Sequence, residues 1–179
     1  MRVLVGYSSK YGATEGIAER IGARLTSAGH VVDVLRCRDV HRPEQYDAFV
    51  VGSAAYMGKW RKEARSFVER QSGLLAAKPT WLFSSGPLGT ERVDRDGNDV
   101  LVAAEPKQFD EYEARLHPRG RMVFFGALDV DRLRGPDRIV SWMPANDALP
   151  QGDFRDWDAI DGWADHVAAE LASAAEPRR

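Results

Sequence analysis

The chain has 179 residues, of which 44% are hydrophobic and 29% charged, with a formal net charge of -2. That composition fits a globular protein of one domain, and without a basic stripe it points away from nucleic acid. Cys37 is the single cysteine and the four histidines are scattered, which excludes an internal disulfide and argues against a cysteine- or histidine-based metal site.

Met1 leads straight into strand-like sequence, with neither the charged n-region nor the apolar h-region of a signal peptide. No apolar run approaches the roughly 20 residues of a membrane span, so a cytoplasmic protein without a span is expected. Residues 2–7, RVLVGY, form a short apolar run that predicts a buried strand. Residues 13–28 predict a helix, with Ile17, Ile21 and Leu25 every four residues. Strands are expected at 30–36 (HVVDVLR) and 47–53 (DAFVVGS). A helix is then expected from Lys59 to about Leu75, with Ala64, Phe67, Val68 and Leu75 on one side. TWLFSS (80–85) reads as the fourth strand and a polar passage follows to about Ala104. Residues 106–117 predict a helix and RMVFFGAL (121–128) a fifth strand. The stretch 135–152, which holds Trp142, has no clear periodicity. Asp156 is placed to cap a last helix whose apolar face is Trp157, Ile160, Ala164, Val167 and Leu171, with a frayed tail over 171–179.

Strands alternating with helices imply one α/β domain over 1–179, a parallel sheet with helices on both faces. Such sheets bind ligands beyond the carboxyl ends of their strands, near the switch in strand order. The loops to inspect are therefore 8–14, 53–60 and 84–92.

The first, SSKYGAT, joins a strand to a helix start, where unpaired amides and the helix dipole suit an anion. Gly12 permits close backbone approach. Ser8, Ser9 and Thr14 add hydroxyls, Tyr11 a phenol, and Lys10 the loop's one formal positive charge. The same residues also describe a capping loop that needs no ligand. Neither G-x-x-x-x-G-K-(S/T) nor G-x-G-x-x-G is present, which argues against nucleotidase and dinucleotide loops. A phospho-acceptor receiver would need carboxylates at the strand ends, which read GYSS and VGSAAY.

The second loop, GSAAYMGKW (52–60), sets Tyr56, Met57 and Trp60 around Gly58, a combination suited to a flat ring. Packing of Tyr56 and Trp60 over the sheet edge is the alternative, more so for Trp60 at the expected helix start. The third loop, SSGPLGT (84–90), offers backbone groups to a polar ring edge, or is a plain turn. An anion site and a flat-ring site on one edge of a sheet together suggest flavin mononucleotide, FMN.

Over nearly its whole length the chain resembles the flavodoxin-like superfamily. Ser9-Lys10-Tyr11-Gly12-Ala13-Thr14 matches the phosphate loop (S/T)-x-T-G-x-T at its first, fourth and sixth places, with Tyr11 replacing the usual threonine. YMGK resembles the Met-Gly-acid loop of some flavodoxins, which carries over to Met57 and Gly58, while Lys59 departs from it. The third loop lacks the aromatic that many flavodoxins stack on the flavin. Within the superfamily, YSSKYGATEGIAERI, FFGALD and GDFRDWDAI are similar to bacterial flavodoxin-domain proteins related to menaquinone-dependent protoporphyrinogen oxidase.

The resemblance implies a doubly wound sheet of five parallel strands in the order 2-1-3-4-5. It implies FMN held by Ser9, Lys10, Tyr11, Gly12, Ala13 and Thr14, by Ala55, Tyr56, Met57, Gly58, Lys59 and Trp60, and by Ser85, Gly86, Pro87, Leu88 and Gly89. It further implies an oxidoreductase acting between a donor and a quinone-like or porphyrin-like acceptor or substrate, with a non-enzymatic electron carrier as the alternative. The partner is then a small molecule or a redox protein. No catalytic side chain is assigned. Arg61, Lys62 and Arg65, beside Lys59, are read as a solvated helix face before an entry for an anionic substrate.

Overall fold

The computed structural model describes residues 1–129 and 150–175. Its first strand, β1 (Arg2–Ser8), is buried from Val3 onward, as a strand covered on both faces must be. The helix α1 (Ala13–Ser27) follows, burying Ile17, Ile21 and Leu25 on one stripe. After β2 (Val31–Arg36) come β3 (Ala48–Tyr56), the two-residue β4 (Lys59–Trp60), α2 (Lys62–Arg70) and α3 (Ser72–Ala77). Then β5 (Thr80–Ser85), the short α4 (Val100–Ala103), α5 (Gln108–Leu116) and β6 (Gly120–Phe124) complete the main layers. The ribbon strands β7 (Ala127–Leu128) and β8 (Gly152–Asp153) precede the last helix, α6 (Trp157–Ala175).

The parallel order is β2-β1-β3-β5-β6. It is the expected 2-1-3-4-5 once β4 is set aside, since β4 pairs only with the end of β3. Two cores flank the sheet. Val3, Val5, Phe83 and Trp81 pack with α1 and the α6 residues Ile160, Val167 and Leu171. On the other face Leu4, Phe49, Val51 and Leu82 meet Phe67 and Phe109. β1 sends its two neighbours, β2 and β3, to opposite sides, so the crevice beyond Ser8 and Ser53 is the switch point where open α/β sheets take ligands.

The structure departs from the sequence reading in four places. β3 runs on through Tyr56, and Met57 and Gly58 make a two-residue turn into β4. Both turn residues have positive φ, 50 and 69°, the geometry that lets a tight hairpin follow strand twist. The helix expected from Lys59 therefore begins at Lys62, and it breaks at Gln71 into α2 and α3. The fifth strand stops at Phe124, and Ala127–Leu128 pairs instead with Gly152–Asp153, antiparallel. The last helix continues to Ala175 with Leu171 fully buried, so fraying does not begin at 171. Asp156 caps it, accepting from the Ala159 amide at 2.9 Å. Trp142 and most of 135–152 lie outside the described residues.

Candidate cofactor site

The loop after β1 is folded by its own small residues. Ser9 Oγ accepts from the Gly12 amide at 3.0 Å, and Gly12 takes φ 95° as the residue before α1. The first bond of the helix runs from the Gly16 amide to the Gly12 carbonyl at 3.0 Å. The amides of residues 13–15 therefore have no partner within the helix and stand at its positive end, with Ala13 and Glu15 half-buried and Thr14 buried. Lys10 Nζ lies over the Tyr11 ring, 5.2 Å from its centroid. Thr14 differs from expectation. It is 0% exposed, and its Oγ1 sits 2.8 Å from Ser85 Oγ, which is 2% exposed. The hydroxyl expected to be a free donor is shared between the first and third loops and ties them together.

The hairpin presents Tyr56 and Met57 outward, 45% and 98% exposed. Cross-strand pairing of Ala55 with Trp60 and of Tyr56 with Lys59 puts Trp60 on the inner face and leaves Lys59 exposed. Trp60 packs against Phe109 and Tyr112 with ring centroids 5.7 and 5.5 Å away. Its ring is a core ring, and the expectation that it offers a face to a ligand is corrected. Two bonds hold the hairpin to the segment leading into α5. The Trp60 amide donates to Gln108 Oε1 at 3.1 Å, and the Lys107 amide donates to the Gly58 carbonyl at 3.0 Å. In the third loop, Gly86 lies so close to Ala55 that a Cβ there would stand 3.3 Å from the Ala55 carbonyl oxygen. The Gly126 amide donates to the Pro87 carbonyl at 2.8 Å, while Leu88 and Gly89 remain half-buried.

Three charged groups that sequence reasoning did not place in the site stand beside it. Arg61 is folded inward with a side chain only 20% exposed. Its Nε donates to Ser8 Oγ at 3.1 Å, its Nη2 to Glu63 Oε1 at 3.0 Å, and its amide to Ser53 Oγ at 3.1 Å. Burial opposes ionisation of Glu63, but its own amide and Arg61 hold the carboxyl below its ordinary range. The solvated-face reading fails for Arg61, because β4 turns it back over the ends of β1 and β3. Glu15 in the first turn of α1 receives the Tyr7 phenol and, at 3.1 Å, Arg36 Nη2; the phenol's bond is the larger cause of its lowered pKa. Arg155, from the segment after β8, reaches the Ala13 carbonyl at 3.4 Å. It lies 142 residues away in sequence, and GDFRDW gave only a family likeness to suggest it.

A parallel sheet whose switch point gathers a helix start, a joined third loop and an exposed hairpin tip defines a flavodoxin-like α/β protein. The chain belongs to the flavodoxin domain family, whose model matches residues 4–153. It is 23% identical to protoporphyrinogen IX dehydrogenase (quinone) of Escherichia coli strain K12, over 94% of this chain and 95% of that one. It is similar to a solved mutant form of flavodoxin from Pseudomonas aeruginosa at 17% identity and TM-score 0.60, over 96% of this chain and 99% of that one. Oxidised flavodoxin 2 of Bacillus cereus matches at 20% identity and TM-score 0.60, with 96% and 99% covered.

Family membership implies FMN as the cofactor. The residues present fit it: an open helix start for one phosphate, small residues at Ala55 and Gly86, and Tyr56 and Met57 exposed beside them. Among the described residues no helix is long and apolar enough to cross a membrane.

Proposed function

We propose that the protein is an FMN-dependent oxidoreductase that passes electrons between a donor and a quinone-like or porphyrin-like acceptor or substrate. The amides of Ala13 and Glu15, with Ser9 and Gly12 shaping the loop, hold the phosphate. Thr14 and Ser85 form the floor between the first and third loops. Ala55, Tyr56, Met57 and Gly58 with Gly86, Pro87, Leu88 and Gly89 flank the ring. When bound, FMN supplies the redox chemistry, and the chain supplies position and electrostatics. The observation that favours an enzyme over a carrier is the end-to-end likeness to a curated quinone-dependent dehydrogenase. Lys59 at the exposed hairpin adds a basic rather than an acidic rim, which suits a small acceptor more than a basic redox protein.

The test is the identity of the co-purifying chromophore, followed by anaerobic turnover with a soluble quinone set against reduction of a cytochrome. FMN at one per chain and quinone-dependent turnover support the proposal. Cytochrome reduction without quinone turnover moves the protein to the carrier class. Stoichiometric FAD, or a colourless chain that takes up no FMN, overturns the cofactor assignment.

A further inference from the structure

The parallel register of β1 and β2 sets Tyr7 beside Arg36. Tyr7 belongs to the core under α1, and Arg36 follows Val32 and Val34 on the same face of β2. The two side chains converge on one carboxylate. The Tyr7 phenol donates to Glu15 Oε1, and Arg36 Nη2 donates to Oε1 at 3.1 Å and to Oε2 at 3.3 Å. Tyr7 is only 6% exposed, so packing holds its ring in place, while the Glu15 and Arg36 side chains are partly exposed. Glu15 is the third residue of α1, with Gly12 as the residue before the helix. From that position a glutamate commonly folds back onto the amide of the residue before the helix. Here the Gly12 amide donates to Ser9 Oγ at 3.0 Å, and Glu15 is held by β1 and β2 instead.

Bond lengths alone keep a glutamate carboxylate within about 6 Å of its own amide nitrogen. The Glu15 amide is one of the two read above as phosphate donors. Its carboxylate therefore brings a negative charge beside the place where an anion binds, and the helix dipole draws that charge toward the same amides. Arg36 balances the charge and, with Tyr7, fixes where it stands. We propose that Glu15 is an internal competitor of the cofactor phosphate, and that Arg36 and Tyr7 are positioning residues that hold it off the loop. The clamp thereby sets the preference for a phosphorylated flavin over an unphosphorylated one. The proposal rests on the FMN reading above. Both positioning residues act through Glu15, so removing the Glu15 charge must remove the need for them.

The test is the affinity of the flavin-stripped, full-length chain for FMN and for riboflavin, measured by quenching of flavin fluorescence at low and high salt. Arg36→Ala leaves one unbalanced charge about 7 Å from a phosphate dianion in a largely aqueous setting. It should weaken FMN about tenfold at low salt and less at high salt, with riboflavin within about twofold. Tyr7→Phe keeps the ring but releases one carboxylate oxygen, and should weaken FMN about twofold to fivefold. Adding Glu15→Gln to Arg36→Ala should return FMN to wild-type affinity or better, a rescue that a merely structural role for Arg36 would not show. Unchanged FMN affinity in Arg36→Ala, equal loss for both flavins, or a double variant no better than Arg36→Ala overturns the proposal. A wild-type chain that fails to prefer FMN over riboflavin instead removes the phosphate site on which the clamp depends.

Discussion

Replacing Thr14 by valine removes one oxygen and almost no volume. Thr14 and Ser85 are 0% and 2% exposed, and their hydroxyls share a bond of 2.8 Å. A neutral hydrogen bond contributes about 1 kcal/mol net, and leaving one partner buried and alone costs about 1–3 kcal/mol. Thr14→Val and Ser85→Ala should therefore each destabilise the flavin-free chain by about 1–2 kcal/mol. The double variant leaves nothing unpaired, so it should cost less than the sum by about 1 kcal/mol. Chemical denaturation in urea reads this directly: with a slope of roughly 2 kcal/mol/M, each single variant lowers the midpoint by about 0.5–1 M. FMN should restore less of the midpoint in the variants than in the wild type, because a ligand stabilises in proportion to its affinity. Thr14→Asp is the less informative change. It would bury a carboxylate at a position without exposure, at a cost of several kcal/mol, and so would test folding before binding. Costs that simply add in the cycle would refute the coupling of the first and third loops through this pair.

Lys107 has φ -55°, which proline accepts, so Lys107→Pro removes the amide bonded to the Gly58 carbonyl and sets its ring against that oxygen, which must move away. Amide exchange of residues 57–60 should accelerate by about fivefold to tenfold in that variant and stay unchanged in Lys107→Ala, which keeps the donor. Lys59→Glu should lower the potential of the bound flavin's second electron by about 20–80 mV at low salt, and less as salt is added; a potential that stays put would place Lys59 away from the ring. The lowered pKa of Glu15, caused first by the Tyr7 phenol and then by Arg36, means that the unfolded chain binds its proton more readily. That contribution is present above the unfolded value of about 4.3 and is lost as pH falls through the folded one. Stability titrated by urea from about pH 5.5 downward should fall less steeply in Glu15→Gln than in the wild type.

The layers of the fold were legible because their signals are local and repeated. The spacing of Ile17, Ile21 and Leu25 gives α1, and the unbroken apolar runs of β1 and β5 give strands buried on both faces. The hairpin was not legible in the same way. WRKEARSF has helical spacing, and only the positive φ of Met57 and Gly58 reveals that the chain turns back before Lys62. Once it does, a two-residue alternation decides that Trp60 faces the core and Lys59 the solvent. The end of the fifth strand was misread because FFGAL continues the apolar run while Gly126 leaves the sheet and donates to the Pro87 carbonyl. The first and third loops could be named from composition, but not the bond between Thr14 and Ser85, 71 residues apart. Arg61 and Arg155 escaped for the same reason. Each looks like a surface charge in its own neighbourhood, and only tertiary contacts aim it at Ser8 or at Ala13.

The hairpin bears on the choice between enzyme and carrier. A carbonyl oxygen has two lone pairs and can accept a second donor, so what its first partner restrains is rotation of the peptide. Here the Gly58 carbonyl already receives the Lys107 amide, and the Trp60 amide is held by Gln108 next to it. Any reorientation of the Gly58–Lys59 peptide must first give up a backbone bond worth about 1 kcal/mol net, and it strains a turn anchored below by the Trp60 ring. A turn pinned in this way resists reorientation by the free energy of those bonds. A carrier that uses the peptide to stabilise a single-electron state needs the opposite, a turn with two arrangements of nearly equal free energy. Within the proposed function, the Lys107 amide and the basic Lys59 both favour the reading in which electrons pass in pairs. The exchange comparison of Lys107→Pro with Lys107→Ala, made on both the oxidised and the reduced protein, measures that bias: wild-type amides of 57–60 that exchange equally in the two states agree with a fixed hairpin, and a large difference between the states would argue for a carrier.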